Sequence, residues 1–130
     1  MKVEHLVIYP SGKLEWVELD YNRRYDDIYE GDYAYELDQI YRIIGCDCVE
    51  QVSLQIPGVV ILIDESGKIK EPAQEHNELV SRLYGGYAFG DDIVGPAIFF
   101  RREGPNLCPL QPVDVAKLSL CLGVPLPANK

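Results

Sequence analysis

The chain has 130 residues, 47% of them apolar, which suits one domain with a real core and excludes a disordered segment. Its net charge is −9, from 21 acidic against 12 basic residues. That excludes a non-specific nucleic-acid binder, because neutralising phosphates takes a basic face. No apolar run approaches the roughly 18 residues of a membrane span, and Met1–His5 lacks the apolar region of a signal peptide, so the cytosol is the expected location.

In chain order, Val3–Tyr9 and Lys13–Leu19 alternate apolar and polar residues around a Pro10-Ser11-Gly12-Lys13 turn, the pattern of a β-hairpin. Asp20–Asp32 is polar and rich in tyrosine, either a loop or a ragged helix with Tyr21, Tyr25 and Tyr29 as a stripe covering the core edge. Tyr33–Ile44 reads as the first helix, with Leu37, Ile40, Tyr41 and Ile44 on one face, Asp32 as its N-cap and Gly45 just past its end. Cys48–Gln55 alternates as a strand. Pro57-Gly58 turns the chain, and the apolar run Val59–Ile63 leads a central strand that ends at Asp64.

Asp64-Glu65-Ser66-Gly67-Lys68 follows as a tight turn whose Ser66-Gly67 step suits a positive φ, with Ile69-Lys70 continuing briefly as strand. Acids in such a turn ordinarily face water. Asn77 caps a short helix, Glu78–Tyr84, that Gly85 terminates. Ala97–Arg101 is the last core strand, after the edge-compatible Pro96. Beyond Gly104-Pro105-Asn106, Val113–Leu122 forms a third helix with Gly123 as its terminator. The expected architecture is α+β: one mainly antiparallel sheet of about five strands with two or three helices packed on it. A core domain over 1–103 carries an extension over 104–130 whose short helix packs on that core.

The candidate chemistry is sparse. Cys46 and Cys48 lack the second pair a zinc site requires, and His5 and His76 have no ligand spacing, so no metal and no cofactor is expected. The four cysteines are expected to be reduced thiols. Asp91-Asp92 lacks the alternating acids of a calcium loop. Gly85–Gly90 follows a helix instead of opening one and lacks the Lys-Ser/Thr of a phosphate loop, yet its Tyr87 and Phe89 offer flat surface for a planar ligand. Glu50 or Glu65 is the acid a carboxylate mechanism would use, but no nucleophile, base and orienting partner form a catalytic set. A ligand site is therefore placed among the Asp64–Lys68 turn, the Asn77 helix start and the Gly85–Gly90 loop. Its members are Asn77, Arg82, Tyr87, Phe89, Glu65 and Lys68.

Several landmarks fall in a recognisable order: the Pro-x-Gly-Lys turn, Ile43-Ile44-Gly45-Cys46, Val49-Glu50-x-Val52, Asp64-Glu65-Ser66-Gly67-Lys68, Asn77, and Asp92-Ile93-Val94-Gly95. In these, over residues 1–101, the chain resembles the family called domain of unknown function 3846. It departs from the pattern at Cys46, where that family usually has a second glycine, in a longer tyrosine-rich segment, and in the tail after Glu103. The resemblance implies a small protein of phages, plasmids or other mobile elements and no established activity. Three functions follow as expectations. The first is a non-enzymatic accessory protein that binds a small ligand, such as a nucleotide-type defence signal, with Arg82, Arg101 and Arg102 as phosphate clamps. The second is an acidic inhibitor or DNA mimic that docks on a host defence protein. The third is a small carboxylate-dependent enzyme. The partners these allow are a nucleotide, a host protein or a second copy of the chain, with no direct nucleic acid and no membrane.

Overall fold

A computed structural model of the chain describes residues 2–23, 33–35, 37–85, 92–104, 106–123 and 125–126. The elements are β1 (Lys2–Ile8), β2 (Leu14–Arg23), β3 (Tyr33–Tyr35), α1 (Leu37–Ile44), β4 (Val49–Ser53), β5 (Val59–Asp64), α2 (Glu78–Tyr84), β6 (Ala97–Glu103), β7 (Asn106–Cys108) and α3 (Pro112–Leu122). The strands form one antiparallel sheet in the order β3-β2-β1-β6-β5-β4, with β7 added to the far part of β6. The α+β class holds, and the five expected strands are joined by the short β3 and β7.

Alternation along the central strands sorts the core into two faces. Leu6, Ile8, Val59, Ile61, Ile63, Ala97 and Phe99 pack against Val80 and Leu83 of α2 and Leu118 of α3. Val7, Val60, Leu62, Ile98 and Phe100 pack on the other face, against Ile40 and Ile44 of α1. Helices thus cover both faces, which is why β5 is apolar throughout and all six of its residues are buried. His5 is also buried on the α1 face, its ring 4.5 Å from that of Phe100 and its Nδ1 3.2 Å from the Phe99 carbonyl. Burial pulls its pKa down to about 4 against the pull of that carbonyl, so the ring is neutral near pH 7.

Four local expectations are corrected. Helix α1 starts at Leu37, not Tyr33: Tyr33–Tyr35 instead pair with Tyr21–Arg23, which extend β2 beyond the hairpin. Leu37, expected on the buried face, is 51% exposed, and Ile40 and Ile44 carry the packing. Ile69-Lys70 is a turn, closed by N–H groups of both residues on the Ser66 carbonyl (3.1 and 3.0 Å), and leaves the Ile69 side chain exposed. Gly67 does not have a positive φ. It is needed for space, because a Cβ there would lie 2.9 Å from Val94 Cγ2. The Asp32 cap and Tyr25 and Tyr29 of the stripe lie outside the described residues.

The remaining helices form as the caps suggest. Asn77 Oδ1 accepts from the Val80 N–H (3.3 Å) and Gly85, at φ 76°, ends α2 in the left-handed conformation. Gly123 ends α3 in the same way. Among the described residues no helix is long and apolar enough to cross a membrane.

Candidate functional site

The sheet stops at Asp64, between two hollows. The side chain of Asp64 is buried, although it belongs to a turn that was expected to face water. Its partners come from the segment that follows. Lys70 forms an ion pair with Oδ2, Gln74 Nε2 donates to the same oxygen (3.2 Å), and the Ser66 N–H donates to Oδ1 (3.0 Å). Burial is the largest single influence and pushes the carboxyl up, but the three donors together outweigh it, and its pKa lies below the ordinary carboxylate value. Lys70 and Gln74 also donate to the last carbonyls of α1 and its cap, at Gly45 O (2.9 Å) and Ile44 O (2.9 Å). One carboxylate therefore ties the 66–74 segment, the end of β5 and the end of α1 together.

On the α1 side lies an open groove of about 560 Å³, lined by Tyr41, Arg42, Cys46, Asp47, Ser66 and Lys70 among others. On the other side lies a smaller cleft of about 220 Å³. Its walls are apolar: Val52 of β4, Ile63 of β5, Ile69, Tyr84 at the end of α2, Ile93 and Val94. Among the described residues, its polar lining is Glu50, Asp64, Glu65 and Asp92 against a single lysine, Lys68. Glu50 and Glu65 are exposed. Glu65 Oε2 accepts from the Cys48 thiol at 2.6 Å, a bond that raises the Cys48 pKa and keeps the thiol protonated. Asp92 sits between Lys68 (3.4 Å) and His76 (2.6 Å), and the other ring nitrogen of His76 lies 3.0 Å from Glu78. Glu78 first and Asp92 second hold the imidazole above its ordinary pKa, and His76 in turn lowers that of Asp92.

Of the six residues placed in a site from the sequence, the structure brings Glu65 and Lys68 together in this cleft. Asn77 is buried and spent on the fold, its Nδ2 donating to Ile8 O (3.0 Å) and Gly95 O (2.9 Å). Arg82 is exposed on α2 and pairs with Glu78 one turn earlier (3.2 Å). Tyr87 and Phe89 lie outside the described residues. Sequence reasoning missed Asp64 and Lys70 as a buried pair and Tyr84 as a cleft wall. Tyr84 had a signal, since it is the last residue before the Gly85 cap and faces the same way as Val80.

The landmarks that were scattered along the chain now stand side by side. Gly67 packs on Val94, Gly95 packs on Gln74, Gln74 holds the end of α1, and Asn77 clamps Gly95 to Ile8. These residues have structural work. Glu50, Glu65 and Lys68, from the same landmarks, are exposed and do none that the core requires. Fold and cleft together define a small three-layer α+β protein with an acid-lined hollow at one end of its sheet. A family model described as domain of unknown function (DUF3846) matches residues 1–120, and the chain belongs to that family. The match runs past β6 and through most of α3, whose Leu118 is part of the shared core. No curated protein and no solved structure matches the chain.

Proposed function

We propose that the chain is a non-enzymatic binding protein that takes a ligand with a cationic head and a small apolar body into the cleft beside Glu50, Glu65 and Asp92. The observation that carries this reading is the division of labour among the landmarks: those that build the fold are buried, and those left over, Glu50 and Glu65 with Lys68, line one hollow with apolar walls in which acids outnumber the lysine. Carboxylates at hydrogen-bond reach favour an ammonium or guanidinium group, and Tyr84, Val52 and Ile63 offer the apolar contact such sites use for orientation. The nucleotide-type ligand draws less support. Among the described residues, a phosphate there would meet the exposed carboxylates of Glu50 and Glu65 and one lysine that is already paired with Asp92. In a phage or other mobile element, within the host cytosol, such a protein would sequester a small signal or hold a basic group of a host factor.

Calorimetric titration decides between these ligand classes. The panel is agmatine, putrescine and arginine amide, against cyclic and linear nucleotides, on the wild-type chain and on Glu50→Gln/Glu65→Gln. The expected result is heat from at least one cation, weakened at least tenfold by the double substitution and by added salt. Heat from nucleotides alone, or from none of the compounds, would overturn the reading.

A further inference from the structure

The cleft is bordered by β4, and β4 is an edge. Among the described residues it pairs only with β5. The Glu65 N–H donates to Cys48 O and the Leu54 N–H donates to Val59 O, both at 3.1 Å. In an antiparallel pair the bonding residues alternate, so 48, 50, 52 and 54 turn their main chain toward β5. Val49, Gln51 and Ser53 turn theirs outward, a row of three donors and three acceptors. The strand contains no proline, glycine or lysine, and its register with β5 is unbroken from Val49↔Asp64 to Ser53↔Val60. Of the devices that blunt an edge, β4 has shortness, at five residues, and the charge of Glu50, but no proline, lysine or bulge.

What the edge carries is negative charge beside apolar surface. Glu50 and Val52 point to the same sheet face as Ile63 and Ile61, their partners on β5, and both line the cleft. Asp47 precedes the strand and Glu65 lies next to Cys48. We propose that the β4 edge accepts an extended segment of a basic partner protein, whose main chain continues the sheet and whose lysine or arginine opposite Glu50 enters the cleft. This rests on the reading of the cleft as a cation site and names its ligand as part of a protein chain.

The geometry sets the recognition rule. An added strand lies about 4.8 Å from β4, and side chains on one face recur every second residue. In an antiparallel addition the residue opposite Glu50 belongs to a non-hydrogen-bonded pair with Cα atoms about 4.5 Å apart, the closer of the two kinds. A lysine or arginine there reaches Glu50 and Glu65, and the residue two positions away, opposite Val52, is apolar. Main-chain bonds supply affinity, and this basic-x-apolar pair supplies selectivity. A second copy of the chain is the weaker occupant, since each copy carries a net charge of −9.

The test uses a fluorescent eight-residue peptide of alternating threonine and valine with one central lysine in place of a valine. Its partners are the lysine-to-glutamate counterpart and two versions N-methylated on one or the other set of alternate amides. Anisotropy should show the lysine peptide binding at least tenfold tighter than the glutamate peptide. Glu50→Lys, a change at an exposed position, should reverse that order. Only one of the two methylated peptides should lose binding, because only alternate amides face β4. Equal binding by both methylated peptides, or no preference for lysine, overturns the proposal. So does a dimer in sedimentation that Gln51→Pro abolishes, which would assign the edge to a second copy. If a cation of the calorimetric panel binds and no peptide does, this inference fails while the small-ligand reading stands; if neither a cation nor a peptide binds, both fail.

Discussion

At the Val59 end of β5, the buried Asp114 carboxylate receives the Arg101 guanidinium (2.6 Å) and the Gln111 N–H (2.8 Å). At the other end, the buried Asp64 carboxylate receives Lys70, Gln74 and the Ser66 N–H. Both are strand-end ion pairs between a buried acid and a partly exposed cation. The first is a latch. It fastens the start of α3 to β6, and a Cβ on Gly58 would lie 3.3 Å from the guanidinium, so the main chain itself closes over the pair. The second is a frame. Hollows open on both sides of Asp64, and exposed carboxylates with no packing role gather on one of them. The same chemistry serves the fold at one end and borders a binding surface at the other, and the difference lies in what surrounds the pair.

The largest expected effect comes from breaking the latch. Asp114→Ala leaves Arg101 without its partner and the first turn of α3 without a cap, and should cost about 3–5 kcal/mol in urea denaturation. A loss no greater than that of Asp64→Ala would erase the contrast between the ends. Next in size is the pH response of the sheet centre that joins them. His5 holds a folded pKa of about 4 against an ordinary value of 6.5. The unfolded chain therefore binds the proton first, and stability should fall by about 3 kcal/mol as pH drops from 6.5 to 4. His5→Asn should flatten that window; an unchanged slope would place the titrating group elsewhere. Asp64→Ala follows, at about 2 kcal/mol, because Lys70 and Gln74 can turn to the water of the two hollows. In the wild type the contribution of Asp64, whose pKa is depressed, is complete above its ordinary value of 3.8 and is lost only as pH falls below that.

The parts of this contrast that were legible in the sequence are those set by near neighbours. The apolar run of β5 announced a central strand, and Asn77 and Gly85 marked the ends of α2 to the residue. Tyr33–Tyr35 were misread as helix because their strand partners, Tyr21–Arg23, lie across a long connection that no local pattern reveals. Asp64 looked solvent-facing because the groups that bury it, Lys70 and Gln74, come from an aperiodic segment. Gly67 looked like a turn residue, whereas its need comes from Val94, far along the chain. The acids of the cleft were visible one by one, as Glu50, Glu65 and Asp92. Their convergence, and the place of β4 at the rim, are properties of strand order, which no single segment encodes.

The most direct test is an amide chemical-shift titration of the wild-type chain with arginine amide. The account predicts that the amides of Glu50, Val52, Glu65, Lys68 and Tyr84 move together and saturate, while those of Arg101 and Asp114 at the other end of β5 stay in place. Shifts centred on the Arg101–Asp114 pair, or no saturable shifts around the cleft, would contradict it.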